Sequence, residues 1–326
     1  MTTAVATATG STALTSPAIS VTGLTKSYGD KKVLDGIDLH VAPGTVFALL
    51  GPNGAGKTTT VQILTTLIPA DSGEVHVGGH DLAREAAAIR SVIGVTGQFS
   101  AVDNLLTAEE NLILMADLLH LGRREGRRRA ADLLSRFDLT EAARKPVSTF
   151  SGGMRRKLDL AMTLVGDPRV IFLDEPTTGL DPRSRRTMWE IIRNLVTEQG
   201  VTILLTTQYL DEADELADRI AVLDHGKLVA EGTAEELKRR IPGSHIRLRF
   251  ATPAELDAAS ALFAPLALDR EALTLDLPGD GSPDTLRAVL DILEHASVRA
   301  EDLSIHTPDL DDVFLTLTGP KRENAR

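Results

Sequence analysis

A glycine-rich segment between an apolar run and a helix-like run places the strongest constraint on how this 326-residue chain can fold. Residues 46–50 read Val-Phe-Ala-Leu-Leu, and Gly51-Pro-Asn-Gly-Ala-Gly-Lys57-Thr58 follows directly. Thr59 to Leu67 then has the composition of a helix. A buried strand, a glycine turn and a helix start let successive backbone N–H groups wrap phosphate oxygens. We call Gly51–Thr58 the phosphate loop.

The residues of this loop predict a nucleotide site. Lys57 supplies a point charge to the outer phosphates, and the Thr58 hydroxyl is a suitable Mg²⁺ ligand. We expect contacts to the nucleotide from Gly51, Pro52, Asn53, Gly54, Ala55, Gly56, Lys57, Thr58 and Thr59. The alternative is a glycine turn with a chance Lys-Thr pair, which the flanking strand and helix patterns disfavour.

A second apolar run, Val170–Leu173, ends in two carboxylates, Asp174 and Glu175. A buried strand presents such residues at the sheet edge where α/β proteins bind ligands. Asp174 is placed to hold Mg²⁺, and Glu175 to orient and deprotonate an attacking water. Alone, the pair is equally consistent with a solvated strand end. Together with the phosphate loop it indicates an ATPase.

Short β-branched runs separated by helix-like stretches predict an α/β fold with a mostly parallel sheet. Residues 107–136 lack strand character and predict helices. The predicted strands are Ile19–Leu24, Ile37–Val41, Val46–Leu50, Val92–Thr96, Val170–Leu173, Ile203–Thr207 and Ile220–Leu223.

Composition excludes several classes of protein. A net charge of −11 argues against nucleic-acid or anionic-lipid binding. We interpret the basic run Arg123, Arg124, Arg127, Arg128 and Arg129 as a solvated helix face. The chain has no cysteine, hence no disulfide or thiolate metal site. No apolar run approaches the roughly 18 residues of a membrane helix, so a membrane role requires a partner.

The segment Phe150-Ser151-Gly152-Gly153-Met154 narrows the class, and here the sequence closely resembles the ABC ATPase family. In that family the segment opens a helix and contacts the γ-phosphate of ATP held by the opposite subunit. We call Ser151–Met154 the signature segment. The resemblance implies a homodimer that holds ATP between two copies, with Ser151, Gly152, Gly153, Met154 and Asp181 acting in trans.

Further family positions appear in order between Ile19 and about Arg240. By resemblance, Tyr28 stacks on adenine. The resemblance also implies that Gln98 touches Mg²⁺ or water and couples to a membrane subunit, and that Gly179-Leu-Asp181 crosses the dimer interface. One position departs from the family: Gln208 stands where a histidine usually contacts the γ-phosphate. Its amide can donate a hydrogen bond but cannot carry a proton.

The string Leu-Leu-Thr-Thr-Gln-Tyr-Leu-Asp-Glu-Ala-Asp, with the late Asp312-Val-Phe-Leu-Thr-Leu-Thr, resembles the daunorubicin-resistance branch of drug exporters. That branch keeps ATPase and membrane-spanning permease on separate chains. The resemblance implies a peripheral subunit on the cytoplasmic face of the membrane, exporting amphiphilic drugs or secondary metabolites. The alternative is a soluble ABC-type ATPase with a non-transport partner, which usually has two cassettes or a coiled coil. A non-catalytic regulator would lack Lys57 or Glu175.

We therefore expect an α/β, RecA-like P-loop core with a β-subdomain and a helical subdomain, plus a small C-terminal α/β domain. Residues 1–18 are expected to form a disordered tail, 19–243 the ATPase domain with helical subdomain about 99–165, and 244–326 an accessory domain. In the last, Ile246, Leu248 and Phe250 alternate like a strand, as do Leu273, Leu275 and Leu277. Leu286, Val289, Leu290 and Leu293 form a helical apolar stripe after Pro283.

Overall fold

The computed structural model describes residues 16–97, 101–239, 245–279, 282–306 and 309–318. The chain divides after Glu231 into two compact units. The boundary that the sequence predicts near residue 243 lies outside the described residues, as does most of the predicted tail.

The elements up to Gly232 alternate between strands and helices. The strands are β1 (Ile19–Tyr28), β2 (Lys31–Val41), β3 (Val46–Leu50), β4 (Ser72–Val77), β5 (His80–Asp81), β6 (Ile93–Thr96), β7 (Val170–Asp174), β8 (Thr202–Thr207), β9 (Arg219–Asp224) and β10 (Lys227–Gly232). The helices are α1 (Lys57–Leu64), α2 (Ala86–Val92), α3 (Ala108–Leu118), α4 (Arg123–Arg136), α5 (Gly152–Thr163), α6 (Pro182–Gln199) and α7 (Leu210–Leu216).

A six-stranded sheet in the order β10-β9-β3-β8-β7-β6 forms the core of this unit. β3 pairs in parallel with β8 and β9, and β7 pairs in parallel with β6 and β8. Every residue of β3, β7 and β8 is buried, as expected for strands covered on both faces. Because the strands run parallel, the carboxyl ends of β3, β7 and β8 meet at one edge. The phosphate loop, Asp174 and Gln208 therefore lie at that edge.

A second sheet, β2-β1-β4-β5, forms the β-subdomain. The sequence did not predict β4, β5 or β10. β4 reads Ser-Gly-Glu-Val-His-Val, in which only Val75 and Val77 are buried, and β5 has two residues. Gly73 is necessary here because a Cβ would lie 2.7 Å from Leu24 Cα on β1. The predicted strand Val92–Thr96 is one residue too long, since Val92 ends α2.

The helices α3 and α4, separated by a short turn, confirm the prediction of helices over residues 107–136. Thr107 and Glu110 form a capping box at the start of α3. The basic run is mostly a solvated face of α4, with Arg128 and Arg129 paired to Glu125. These guanidinium groups lower the pKa of Glu125 to about 2. Arg129 is half-buried and also donates to the Val165 carbonyl oxygen at 2.7 Å.

The second unit is a small α/β domain. Its elements are α8 (Ala234–Arg239), β11 (His245–Arg249), α9 (Pro253–Leu262), β12 (Ala267–Asp269), β13 (Thr274–Pro278), α10 (Pro283–His295), β14 (Asp302–His306) and α11 (Leu310–Thr318). The sheet order β12-β13-β11-β14, with antiparallel pairs, corresponds to a ferredoxin-like β-α-β-β-α-β arrangement.

The predicted alternation in this domain is confirmed for Ile246 and Leu248 on β11, which are buried. Val289 and Leu293 of α10 are also buried in its core. The prediction for Leu290 was wrong. Its side chain is 50% exposed, because the buried stripe of α10 is narrower than the run of apolar residues.

Candidate functional site

Glycine geometry shapes the phosphate loop at the end of β3. A Cβ at Gly51 would lie 2.3 Å from the Leu223 carbonyl oxygen, and a Cβ at Gly56 would lie 2.7 Å from Leu34 Cδ2. Gly56 has φ 113° and caps α1 without any side-chain hydrogen bond. The first turn of α1 therefore has no competing side-chain acceptor, and its N–H groups suit an anion.

Lys57 lies inside this loop, with only 5% of its surface exposed. Its Nζ donates to the carbonyl oxygens of Gly51 (2.8 Å) and Pro52 (3.1 Å). It also lies 3.9 Å from Glu175 Oε1. Burial lowers the pKa of Lys57, and the charges of Glu175 and Asp174 oppose that effect. Lys57 and the two carboxylates, which were predicted from separate motifs, thus lie together in the structure.

Asp174 is the last residue of β7 and is 3% exposed. Its Oδ1 accepts hydrogen bonds from Thr58 Oγ1 (3.4 Å) and from Thr206 Oγ1 on β8. One carboxylate oxygen and one hydroxyl therefore face each other across the carboxyl edge of the sheet. This pairing joins the phosphate loop to the end of β7.

Glu175 has a left-handed backbone, with φ 50°. Such a conformation is uncommon outside glycine and marks functional turns. Its N–H donates to the Thr206 carbonyl oxygen and to Thr206 Oγ1, both at 3.1 Å. Its Oε2 accepts from Thr178 Oγ1 at 3.3 Å. The turn at Glu175 directs the carboxylate toward Lys57.

The donor set near Asp174 fits Mg²⁺. This ion binds through one or two protein oxygens and completes its shell with phosphate oxygens and water. The Thr58 hydroxyl and the Asp174 carboxylate supply such oxygens at hydrogen-bonding distance from each other. No cluster of three His, Cys, Asp or Glu residues suited to a metal occurs in the described part of the chain.

The signature segment begins α5 and is held differently. Ser151 is the N-cap, and its Oγ accepts from the Met154 N–H at 3.2 Å. Ser151 and Gly152 are exposed. Gly153 lies against α6, where a Cβ would be 2.6 Å from Ser184 Oγ. The signature segment therefore lies on the surface, and α6 packs against its buried side.

Asp181 lies beside it as the N-cap of α6. Its carboxylate accepts from the N–H groups of Arg183 (3.1 Å) and Ser184 (3.0 Å) and from Ser184 Oγ (2.6 Å). The hydrogen bonds from Ser184 lower the pKa of Asp181, which is exposed. Ser184 therefore links Asp181 to the back of the signature segment.

The remaining predicted residues are placed as follows. Tyr28 ends β1 and is 51% exposed, with Lys26 Nζ 5.6 Å from its ring centroid. Gln98 lies outside the described residues. Gln208 follows β8, is half-buried, and its side chain makes no hydrogen bond within the described ranges.

Comparison with known proteins identifies the family. The model of the ABC transporter family matches residues 34–178. Daunorubicin resistance ATP-binding protein DrrA3 of Streptomyces coeruleorubidus is 51% identical, covering 94% of this chain and 97% of that protein. Daunorubicin/doxorubicin resistance ATP-binding protein DrrA of Streptomyces peucetius is 46% identical, covering 93% and 92%. The chain belongs to the ABC transporter family.

As an ABC ATP-binding subunit, the chain also resembles solved cassettes. A dimeric cassette in a post-hydrolysis state with ADP and inorganic phosphate is 28% identical, with a TM-score of 0.59. The alignment covers 66% of this chain and 98% of that one. These likenesses confirm the predicted fold class and the assignment as an ATPase.

Two residues near the site of this ABC ATPase were missed by the sequence analysis. Thr206 bonds both Asp174 and the Glu175 N–H. Arg156, on α5, donates to the carbonyl oxygens of Asp174, Glu175 and Pro176. The available signal was the pair Arg156 and Asp159, at i and i+3 on a helix. Only the fold shows what this pair contacts.

Proposed function

We propose that this ABC ATPase powers the efflux of drugs or amphiphilic secondary metabolites through a separate membrane-spanning permease. One observation carries the catalytic part of the proposal: Glu175 approaches Lys57 within 3.9 Å at the edge where Thr58 meets Asp174. This is a preorganised set for phosphoryl transfer, in which positioning and charge supply most of the catalysis.

In the proposed mechanism the phosphate loop binds the phosphates of ATP through its backbone N–H groups. Lys57 exchanges its carbonyl partners for the outer phosphates. Glu175 orients a water molecule and accepts its proton as the water oxygen attacks the γ-phosphorus. The bond from the γ-phosphorus to the β–γ bridging oxygen breaks, so ADP and inorganic phosphate are the products. Tyr28 stacks on adenine. Thr58, Asp174 and Gln98 would hold Mg²⁺, which neutralises phosphate charge when bound.

The exposed signature segment supports a composite site. A helix N-terminus with two glycines permits close approach of a phosphate. We propose that two copies of the chain form a homodimer around two ATP molecules. Ser151, Gly152, Gly153, Met154 and Asp181 of one copy then complete the site of the other. Ser184 donates a hydrogen bond to Asp181 and lies against Gly153. One side chain therefore supports both parts of the proposed interface.

Location and partners form a separate part of the proposal. Among the described residues, no helix is long and apolar enough to cross a membrane. The names of the relatives concern drug resistance, which supports a peripheral position at the cytoplasmic face, contacting the membrane only through the permease. The net charge of −11 supports the absence of nucleic acid as a partner. We assign residues 19–243 to ATPase function and 244–326 to an accessory role.

The alternative, a soluble ATPase with a non-transport partner, is disfavoured by the comparisons, since the relatives are resistance proteins. The test uses inverted membrane vesicles containing this chain and a candidate permease, chosen as a neighbouring gene product with about six apolar runs of membrane-spanning length. We expect ATP-dependent uptake of a fluorescent anthracycline, lost in Glu175→Gln. ATP hydrolysis without uptake of any amphiphilic compound tested, and without co-purification of the two chains, would contradict export.

A further inference from the structure

Arg156 is a nearly buried cation that the catalytic proposal leaves without a role. It lies on α5, and its side chain is 12% exposed. Its guanidinium donates to five oxygens: Pro176 O (2.7 Å), Gly97 O (3.1 Å), Asp159 Oδ2 (3.2 Å), Asp174 O (3.3 Å) and Glu175 O (3.3 Å). A planar fork of N–H groups suits several acceptors at once, as a lysine ammonium does not.

Three of these acceptors are consecutive carbonyls at the end of β7. They belong to Asp174, Glu175 and Pro176, on either side of the left-handed turn at Glu175. Thr206 binds the Glu175 N–H from the neighbouring strand. The turn is therefore held from two sides, by β8 at its N–H and by α5 at its carbonyls. An uncommon backbone conformation persists only when its surroundings determine it in this way.

Asp159 completes the arrangement one turn further along α5. Its Oδ2 pairs with Arg156, and its Oδ1 accepts from the Ala101 N–H at 3.2 Å. Burial lowers the pKa of Arg156, and the charge of Asp159 opposes that effect. A buried cation without such a partner is costly. The pair therefore fixes the guanidinium where it reaches the carbonyls.

We propose that Arg156 is a positioning residue for ATP hydrolysis, holding the backbone turn that directs the Glu175 carboxylate. The inference rests on the proposed role of Glu175 as the base. Arg156 does not itself contact the reacting atoms. Because it lies on the helix that begins with the signature segment, it also links that segment to the hydrolytic carboxylate of the same chain.

The test compares Arg156→Lys with the wild type, using the full-length chain. Loss of the fork releases the turn, and small misplacements of catalytic groups reduce rates strongly. We expect kcat to fall about 10–10²-fold, with KM for ATP and the Kd for ADP changed less than about threefold. Arg129→Lys is the matched control. It removes a guanidinium from a carbonyl and a carboxylate, but on α4. It should keep a wild-type kcat.

A second background tests whether Arg156 acts through Glu175. In Glu175→Gln, adding Arg156→Lys should lower the residual rate less than about threefold, because residues acting as a unit are not additive. If Arg156→Lys lowers the rate of Glu175→Gln by the same factor as it lowers the wild-type rate, the inference is overturned. An unchanged kcat in Arg156→Lys would also overturn it. A near-normal rate of Glu175→Gln would instead refute the base assignment itself.

Folding is controlled with a second variant, Arg156→Gln, which removes the buried charge and retains an amide donor. Rates are normalised to the fraction of chains that bind ADP. We expect both variants to bind ADP stoichiometrically and to hydrolyse ATP slowly. The KM for ATP should be similar in Arg156→Lys and Arg156→Gln. Loss of ADP binding in both would show that Arg156 supports the fold rather than Glu175, and would overturn the proposal.

Discussion

Lys57 and Asp174 are almost fully buried, whereas Ser151, Gly152 and Asp181 are exposed to solvent. Lys57 lies 3.9 Å from Glu175, which follows β7, and Asp174 accepts hydrogen bonds from Thr58 on α1 and Thr206 on β8. Within the described residues, the side chains of Ser151 and Asp181 accept hydrogen bonds only from the first turns of the helices that they cap. The nucleotide half of the site is therefore built within one chain, and the signature half presents a surface.

This contrast explains why the two halves should respond differently to mutation. Changes in the buried half alter chemistry in the chain that carries them. Changes in the exposed half should leave a chain's own nucleotide binding intact and act on its partner. The difference is a property of burial, since a buried charge needs partners in the same chain, whereas an exposed cap does not.

The largest effect is expected for Glu175→Gln. The amide retains the shape of the side chain but accepts no proton, and removal of a general base costs about 10²–10⁴ in rate. We expect nearly normal ATP binding, very slow hydrolysis and an accumulated ATP-bound dimer, measured by steady-state kinetics and by size-exclusion chromatography with ATP. Glu190→Gln, an exposed position on α6, is the control and should be silent. Hydrolysis within a few-fold of wild type would eliminate Glu175 as the base.

The exposed half is tested by Ser151→Arg. A long cation at the helix N-cap blocks approach of a second copy, and lost contact to the γ-phosphate should cost on the order of 10²-fold. We expect the ATP affinity of the isolated subunit to stay nearly unchanged. The wild-type rate should rise more steeply than linearly with protein concentration. Ser135→Arg, on the exposed face of α4, controls for added charge. A strictly linear rate across dimer dissociation would contradict a site shared by two chains.

The buried half was largely predictable from sequence, because its motifs are local. The phosphate loop needs a strand, a glycine turn and a helix in immediate succession, and Asp174 and Glu175 follow their strand directly. Each motif thus specifies its own place at the sheet edge, and the parallel order of β3, β8 and β7 brings them together. Thr206 was not predicted as a site residue, because nothing in the sequence of β8 distinguishes it from the other buried residues.

The rest depends on tertiary contacts that carry no local pattern. Arg156 is one of several basic residues after the signature segment, and only the fold shows that its side chain reaches the carbonyl oxygens of residues 174–176. β4 and β5 are too short and too exposed for alternation to reveal them. The order of strands in the second unit likewise follows from pairing at long range. The predicted alternation holds for Ile246 and Leu248 on β11 and for Leu275 and Leu277 on β13. It was wrong for Leu273, which precedes β13 and has a left-handed backbone with φ 53°.

A smaller effect separates support of the signature segment from its exposure. A Cβ at Gly153 would meet Ser184 Oγ at 2.6 Å, whereas a Cβ at Gly152 has its nearest neighbour at 3.9 Å. Gly153→Ala should therefore overpack α5 against α6 and destabilise the chain by about 1–3 kcal/mol. Thermal unfolding measures this. Gly152→Ala is the matched control and should leave the midpoint unchanged while slowing hydrolysis by the dimer. Equal unfolding midpoints for both variants would show that the Ser184 side chain moves aside at little cost, and would contradict this prediction.

The smallest effect is expected at Gln208. It lies at the sheet edge beside Asp174, yet its side chain makes no hydrogen bond in the part of the chain described. We expect its amide to donate a neutral hydrogen bond to the γ-phosphate, worth about 0.5–1.5 kcal/mol. Gln208→Ala should then slow turnover about 2–10-fold, since 1.4 kcal/mol corresponds to tenfold. ADP affinity should hardly change, because ADP has no γ-phosphate. Turnover is measured by steady-state kinetics, and ADP affinity by calorimetry.

Gln208→His provides the matched variant for this position, because it restores a donor and adds a titrating group. Activity should return, and the rate should acquire a dependence on pH near the imidazole pKa of about 6.5. The cation donates two hydrogen bonds and attracts phosphate, so the rate should be higher below that pH and should fall as the imidazole loses its proton. Wild type and Gln208→Ala should lack this titration. If Gln208→Ala weakens ATP and ADP binding equally, Gln208 supports the end of β8 and does not contact the γ-phosphate.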